Sequence, residues 1–242
     1  MKTFAAILVF TLTLPAIGST HDESKSTKAV IELFTSQGCY SCPPADELLG
    51  ATLKSNKNII GFEFHVDYWD QLVHGDDGSW QDPFSNPQHT ARQRLYNTLP
   101  LQGRRGVYTP QMIVNGNFAL VGSNSQQLRH QLEKQTKIPT QIYVLSAKNN
   151  NLAVKINGEP NVRANIWLIN FIPEITTEIK SGENKGASMR NFNVVTAMQR
   201  VGLWNGGVEE FNWDISDLPP EQRCAILVQK PMGEILGASY CP

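Results

Sequence analysis

The first half of the chain alternates between short apolar runs and amphipathic segments. Apolar, β-branched runs at 29–34 and 59–66 predict two buried strands. Pro43 and Pro44 predict the start of a helix that continues to about Ser55, because proline and acidic residues suit a first helical turn. Two more helices, over 88–99 and 126–135, flank a hairpin predicted over 110–121. The order therefore predicts early parallel strands joined by crossover helices.

The pattern changes after a short linker at 136–140. Short alternating strands are predicted at 142–147, 152–156, 162–171, 191–201, 209–214, 224–229 and 235–240. Seven short strands with little helical periodicity favour a β-sandwich. The first half has the minimal thioredoxin-like order of elements. We therefore predict an α/β thioredoxin-like domain over 28–137, followed by an all-β sandwich-like domain over 140–242.

The first residues have the pattern of an export signal. Lys2, an apolar run over 4–15 and the small residues Ala16 and Gly18 predict a signal peptide over 1–18. The run is shorter than the roughly 20 residues that a membrane anchor needs, so no stable membrane insertion is expected. Loss of Lys2 leaves 20 of the 21 basic residues against 22 acidic ones, which argues against nucleic acid as a partner. A periplasmic or secreted location is predicted, where four cysteines can form two disulfides.

Cys39 and Cys42 form a C-x-x-C motif at the predicted turn from strand to helix. Backbone N–H groups and the helix dipole favour a thiolate there, so Cys39 is predicted to be the outermost, attacking thiol. Cys42 is placed to resolve a mixed disulfide. Thiol exchange, copper transfer and a purely structural disulfide all stay open. Thiolates select Cu(I), and His65 is the candidate third ligand, although a histidine with its own partners at a strand end is the favoured interpretation.

Tyr108, Thr109 and Pro110 precede a strand that should be central. Proline is unusual there because it cannot donate to the ladder, and a cis Thr109–Pro110 bond would account for it. In thioredoxin-like proteins such a proline faces the cysteine pair, and the backbone before it binds the substrate chain. A trans proline that only starts the strand is the alternative. Trp69, in the long loop over 67–87, is predicted either to grip a client or to belong to a lid packed on its own core.

Cys224 and Cys241 lie on two predicted strands that are close in sequence. A two-residue loop at Met232 and Gly233 makes paired residue numbers sum to 465, which places the two cysteines directly opposite each other. Opposite residues on antiparallel strands are close enough for a bridge. We therefore predict a structural disulfide across this hairpin.

Three motifs resemble those of a family of secreted bacterial proteins of unknown function. They are LFTSQGCYSCPPAD at 33–46, HVDYWD at 65–70 and YTPQ at 108–111. Shorter matches, GENKG at 182–186 and NVV at 193–195, extend the resemblance over nearly the whole mature chain. The resemblance implies a thioredoxin-like fold and, by analogy with thioredoxins, redox activity of the C-x-x-C pair.

These observations predict an exported thiol–disulfide oxidoreductase that acts on protein thiols or on a redox partner protein. Cys39 and Cys42 would carry the exchange without a cofactor. The predicted substrate-binding residues are Trp69, Tyr108, Thr109 and Pro110. The alternatives are a copper metallochaperone that uses the two cysteines with His65, and a binding protein whose cysteine pair is only structural.

Overall fold

The computed structural model describes residues 27–72 and 78–242, and these ranges contain ten strands and three helices. In chain order they are β1 (Ala29–Thr35), α1 (Pro43–Ser55), β2 (Ile59–His65), α2 (Pro87–Thr98), β3 (Gln102–Gly103), β4 (Gln111–Val114), β5 (Phe118–Val121), α3 (Ser125–Lys134), β6 (Gln141–Lys148), β7 (Asn151–Glu178), β8 (Ser188–Asp214), β9 (Arg223–Gln229) and β10 (Ile235–Tyr240). The elements predicted for the first half are confirmed to within about a residue, except that the pattern missed β3. The predicted signal peptide lies outside the described residues.

The ten strands form one mixed sheet. Its order is β10-β9-β7-β8-β2-β1-β4-β5-β3, and β6 pairs with β7 off this path. β1 and β2 are parallel, whereas β4 is antiparallel to both β1 and β5. The two halves of the chain meet where β8 pairs in parallel with β2, through Val194 and Glu63.

The predicted fold class, a thioredoxin-like α/β domain followed by a β-sandwich, is therefore wrong. The second half does not form a separate sandwich, because β8 extends the sheet of the first half. Its two central strands are also far longer than predicted, with 28 residues in β7 and 27 in β8. Residues near 157–161 and 206–207, which have the composition of turns, lie instead at register shifts within one long β7–β8 hairpin.

Alternate side chains of β1 pack against different layers, because successive residues of a strand point to opposite faces. Ile31 and Leu33 pack with apolar residues of α1 and α3. Val30 and Phe34 belong to a second core that includes residues of α2, β9 and β10. A third core lies among β6–β10 and contains the fully buried Trp204. The second core draws on both halves of the chain, so it helps to hold them together.

The β9–β10 hairpin carries a disulfide between Cys224 and Cys241, whose Cα atoms are 5.2 Å apart. From Gly237 onward, paired residue numbers sum to 465, which confirms the predicted register. The turn itself differs from the prediction. The N–H of Lys230 donates to the carbonyl of Glu234 at 2.9 Å, which closes a three-residue loop. A register shift just before Gly237 then restores the predicted pairing.

Candidate active site

The C-x-x-C pair lies in the turn that connects β1 to α1. Cys39 and Cys42 are joined by a disulfide, with their Cα atoms 5.4 Å apart. The N–H of Cys39 donates to the carbonyl of Ser36 at 3.1 Å, and Cys42 is the N-cap of α1. The prolines that follow suit the first helical turn, because its N–H groups have no partner within the helix. The pair therefore lies at the strand-to-helix turn that the sequence predicts.

Both cysteines are buried, with 1% of Cys39 and none of Cys42 exposed. The sequence predicts that Cys39 is the outermost thiol and Cys42 the buried one, and in the structure the two differ by only 1% in exposure. The long loop after β2 contributes to the cover, and the side chain of Trp69 lies close to Gly38. Tyr40, between the two cysteines, is 73% exposed. A molecule in solution can therefore reach Cys39 only after part of this cover moves.

The Thr109–Pro110 peptide bond is cis, as predicted. The hydroxyl of Thr109 donates a hydrogen bond to Sγ of Cys39 at 3.2 Å. The same oxygen accepts a hydrogen bond from Nε1 of Trp69 at 2.7 Å. The structure therefore brings two of the predicted substrate-binding residues into a chain of hydrogen bonds that ends at the sulfur. Tyr108 points elsewhere, because its hydroxyl donates to the carbonyl of Arg104.

The tip of the β7–β8 hairpin, residues 179–187, contacts the C-x-x-C turn directly. The side-chain amide of Asn184 donates to the carbonyl of Gln37 at 2.8 Å and to the carbonyl of Cys39 at 3.1 Å. A carboxylate oxygen of Glu183 accepts the N–H of Tyr40 at 3.0 Å. The second half of the chain therefore completes the surroundings of the disulfide.

Sequence reasoning missed both Glu183 and Asn184. The available signal was the GENKG motif at 182–186, whose glycines predict a turn. Both glycines do adopt a positive φ, +75° at Gly182 and +84° at Gly186. A turn motif does not indicate which surface the turn will contact. The local sequence pattern therefore could not predict the contact with Cys39.

Five buried polar side chains lie next to the C-x-x-C turn. We call them the carboxylate–histidine cluster, and its members are Asp46, Glu63, His65, Asp82 and Asn191. Nδ1 of His65 is 2.7 Å from Asp82, and Nε2 of His65 is 3.4 Å from Glu63. Asp82 also accepts the N–H of Gln37 at 2.8 Å, and Asn191 accepts the side-chain amide of Gln37 at 3.0 Å. The cluster is therefore bonded to the loop that carries the disulfide.

The pKa values of the ionisable groups in the cluster are shifted in different directions. Burial opposes the charged form of His65, but Asp82 and Glu63 raise its pKa to about 10. Burial also opposes ionisation of Asp82, but His65 lowers the pKa of Asp82 below its usual value. Burial raises the pKa of Asp46 well above its usual value, and the nearby charge of Glu63 adds to this rise. The cluster therefore contains an ion pair between His65 and Asp82 beside a carboxyl, Asp46, whose surroundings favour the protonated form.

Two oxygens of the cluster, Oδ2 of Asp46 and Oε1 of Glu63, have no hydrogen-bond partner among the described residues. The other side-chain oxygen of Asp46 accepts the hydroxyl of Thr35 at 2.7 Å. Buried polar atoms usually have partners, so an incompletely bonded cluster of carboxyls is a costly arrangement for stability alone. Such arrangements are more frequent at functional sites than elsewhere.

The surroundings of His65 favour a histidine with its own partners over a copper ligand. Both of its ring nitrogens face carboxylates, and a protonated imidazole has no lone pair for a metal. The alternative set of Cys39, Cys42 and His65 is therefore not assembled. Among residues 27–72 and 78–242, no group of three or more His, Cys, Asp or Glu side chains is arranged to hold a metal ion.

Fold and site together define a mixed β-sheet protein with a buried C-x-x-C disulfide where its first strand meets its first helix. The chain belongs to the family described as "Protein of unknown function (DUF1223)", which matches residues 30–229. The predicted membership in a family of unknown function is thus confirmed, but the thioredoxin-like fold is not.

One solved structure is similar to the chain over most of its length. It is the X-ray crystal structure of protein AGR_C_4864 from Agrobacterium tumefaciens, with 31% sequence identity and a TM-score of 0.73. The match covers 89% of this chain and 94% of the other. No curated protein matches the chain.

The two disulfides are consistent with an exported protein, because such bonds persist in oxidising compartments. Helices α1, α2 and α3 contain 13, 12 and 10 residues. Within the described part of the chain, no helix has the length and apolar character that a membrane crossing requires.

Proposed function

We propose that this protein is an exported thiol–disulfide oxidoreductase that acts on protein thiols through Cys39 and Cys42. The observation that carries the proposal is the 3.2 Å hydrogen bond from the Thr109 hydroxyl to Sγ of Cys39. A hydroxyl donor stabilises a thiolate more than a neutral thiol, because hydrogen bonds to charged acceptors are stronger. The start of α1 adds to this effect, because a helix N-terminus favours negative charge. Cys39 is therefore the sulfur whose thiolate the site favours.

In the oxidised protein, a client thiolate attacks Sγ of Cys39. The new sulfur–sulfur bond forms as the Cys39–Cys42 bond breaks, and the electron pair of the broken bond leaves with Cys42. A second client thiolate then attacks the client sulfur of the mixed disulfide and releases Cys39 as a thiolate. The protein gains two electrons, and the client thiols become a disulfide. The reverse sequence, in which Cys39 attacks and Cys42 resolves, reduces a client disulfide.

Exchange requires that the cover over Cys39 opens. Opening of the loop side of the cover includes loss of the hydrogen bond between Trp69 and Thr109, and it can leave the bond from Thr109 to Cys39 in place. Tyr40 and Trp80 contribute further aromatic surface beside the disulfide. An aromatic rim of this kind suits an unfolded client segment that presents its cysteine among apolar residues.

An insulin-reduction assay with the mature chain tests the proposal. Cys39→Ser should abolish turnover, and Cys42→Ser should trap mixed disulfides with clients, because the resolving thiol is gone. The matched control is the double variant Cys224→Ser/Cys241→Ser, which should keep its turnover. A wild-type protein without turnover that instead binds one Cu(I) per chain in an anaerobic titration would overturn the proposal in favour of copper transfer.

The role of Thr109 has a separate test on the reduced protein. Thr109→Val removes the donor and should slow alkylation of Cys39 at pH 7 by about ten- to hundredfold, since a hydrogen bond to a charged group is worth about 1.5–3 kcal/mol. Thr109→Ser retains a hydroxyl and should react at nearly the wild-type rate. Equal rates for Thr109→Val and Thr109→Ser would show that the hydroxyl does not stabilise the thiolate.

A further inference from the structure

We infer that the tip of the β7–β8 hairpin sets the thiol–disulfide equilibrium of the Cys39–Cys42 pair, with Asn184 and Glu183 as positioning residues. The inference rests on the proposed function for its role in the cell. The equilibrium itself can be measured for any reducible pair, whether or not the protein turns over clients.

Asn184 fixes the shape of the turn that carries Cys39. Its buried amide donates to the carbonyls on both sides of Gly38, those of Gln37 and Cys39. The carbonyl of Cys39 also accepts the N–H of Cys42 at 3.1 Å. One side chain from a distant part of the chain therefore holds the backbone in the geometry that brings the two sulfurs together. After reduction this restraint keeps the thiols close, and a high effective concentration favours re-formation of the disulfide.

Glu183 acts on the same equilibrium through its charge. Its carboxylate accepts the N–H of Tyr40, the residue that directly follows Cys39. A negative charge at this position opposes a second negative charge on the Cys39 sulfur, so it disfavours the thiolate of the reduced form. Glu183 is exposed, so solvent weakens this repulsion. We therefore expect a smaller effect from Glu183 than from Asn184.

The hairpin tip is itself held in place by the loop that follows β2. The hydroxyl of Ser181 donates to the carbonyl of Ser79 at 2.8 Å, and Gly182 packs closely against Trp80. Nε1 of Trp80 donates in turn to the side chain of Gln37 at 3.2 Å. The tip, the loop and the C-x-x-C turn therefore form one bonded unit, which is the geometry that a positioning role requires.

The test equilibrates the mature chain with glutathione buffers, blocks free thiols with an alkylating reagent and counts them by mass. Asn184→Ala should shift the equilibrium about tenfold toward the dithiol, which corresponds to a reduction potential about 30 mV higher. Glu183→Gln keeps an acceptor for the N–H of Tyr40 but removes the charge, and should shift the equilibrium roughly threefold in the same direction. Glu178→Gln, on the same hairpin but in β7, is the matched control and should leave the equilibrium unchanged.

A purely structural role for the tip predicts something different. If Asn184→Ala lowers the melting temperature but leaves the equilibrium within twofold of wild type, the inference is wrong. The same holds if Glu178→Gln shifts the equilibrium as much as Glu183→Gln does. Should Asn184→Ala fail to fold, Glu183→Gln decides alone, because its exposed side chain can change without loss of packing. A wild-type protein that fails in the insulin assay while both variants shift as expected would remove the proposed function and leave this inference standing.

Discussion

Two buried networks of charged side chains lie on opposite faces of β1 and β2. The first, which we call the glutamate–arginine network, comprises Glu32, Arg92, Tyr96 and Gln229. Nε of Arg92 donates to Glu32 at 2.6 Å, and the hydroxyl of Tyr96 donates to the second oxygen of Glu32. Arg92 also donates to Gln229 on β9 at 3.2 Å. Neither oxygen of Glu32 lacks a donor, and the network links α2 and β1 to the second half of the chain.

The carboxylate–histidine cluster, on the other face, differs in its hydrogen bonding and in its position. It contains three carboxyls for one histidine, and oxygens of Asp46 and Glu63 are without partners among the described residues. It also adjoins the disulfide, whereas the glutamate–arginine network does not. The comparison indicates that complete pairing marks the buried charges that hold the fold together. Incomplete pairing marks the buried carboxyls beside the C-x-x-C disulfide, which is the site proposed for thiol exchange.

The largest expected effect comes from breaking the complete network. Glu32→Gln leaves the guanidinium of Arg92 buried without a counterion and should lower the free energy of unfolding by about 3–5 kcal/mol. Urea denaturation at pH 7 measures this change. The control is Glu234→Gln, which removes one partner of the exposed Lys230–Glu234 pair and should change stability little. Similar losses from both variants would show that burial does not distinguish the two ion pairs.

The second effect is a pH dependence that belongs to the carboxylate–histidine cluster. The pKa of His65 is raised from its usual 6.5 to about 10, mainly by Asp82 against the opposing effect of burial. The resulting stabilisation is complete below pH 6.5 and is lost as the pH rises toward 10. The free energy of unfolding should therefore fall by a few kcal/mol between pH 6.5 and 10.

Urea denaturation across this range measures the slope, and Asp82→Asn should reduce it because His65 then loses its main counterion. Glu32→Gln, in the other network, should keep the wild-type slope over the same range. A slope that is flat in the wild type, or that Glu32→Gln reduces as much as Asp82→Asn does, would contradict the assignment to His65.

A smaller loss is expected from Tyr96→Phe. The variant removes the hydroxyl that donates to Glu32 and leaves a buried carboxylate oxygen without that donor, at a cost of about 1–3 kcal/mol. Thermal or urea unfolding at pH 7 measures the loss. Tyr143→Phe, on β6, removes a hydroxyl near the surface and serves as the control. No difference between the two variants would mean that the network tolerates a missing donor.

The smallest effect has the opposite sign. Asp46→Asn retains an oxygen that accepts the hydroxyl of Thr35. On folding, the carboxyl of Asp46 must either be buried as a charge or take up a proton, and the amide of the variant needs neither. The variant should therefore raise the free energy of unfolding at pH 8 by about 1 kcal/mol. Because burial raises the pKa of Asp46, the gain should shrink as the pH falls toward 4, where Asp46 is protonated in the unfolded chain as well. Destabilisation at pH 8 comparable to that of Glu32→Gln would mean that the carboxyl of Asp46 is needed for the fold.

Local sequence pattern was sufficient for elements whose periodicity is simple. The bounds of α1, β9 and β10 agree with the prediction to within a residue at every end, since prolines, apolar runs and turn residues mark them clearly. The length of β7 and β8 was missed because the residue types that form turns also occur at bulges within strands. Asn157 and Gly206 are residue types that are common in turns, but here they lie within the continuous pair of strands β7 and β8. Pairing of β8 with β2 is a tertiary contact that no local period encodes.

The residues of the candidate site could be predicted where they belong to a short sequence motif. Cys39, Cys42 and Thr109 follow from C-x-x-C and from a proline before a strand. Asp46 has the position of an ordinary acidic residue in a first helical turn, so its burial was not visible. Asn184 is 145 residues from Cys39, and only the assembled sheet shows that they meet. The near-complete burial of Cys39 was not visible for the same reason, because its cover comes from distant segments.

The long distance in sequence between the hairpin tip and the C-x-x-C turn has a consequence for the order of folding. Contacts between remote segments form late, because the entropy of closing a long loop is lost before the contact contributes favourable free energy. The first strands and α1 can form while the hairpin is still undocked, and the cysteine pair is then uncovered. During that interval Cys39 and Cys42 can pair wrongly with Cys224 or Cys241. Docking of the tip completes the surroundings of the Cys39–Cys42 disulfide, so we expect it to limit scrambled disulfides in the same step.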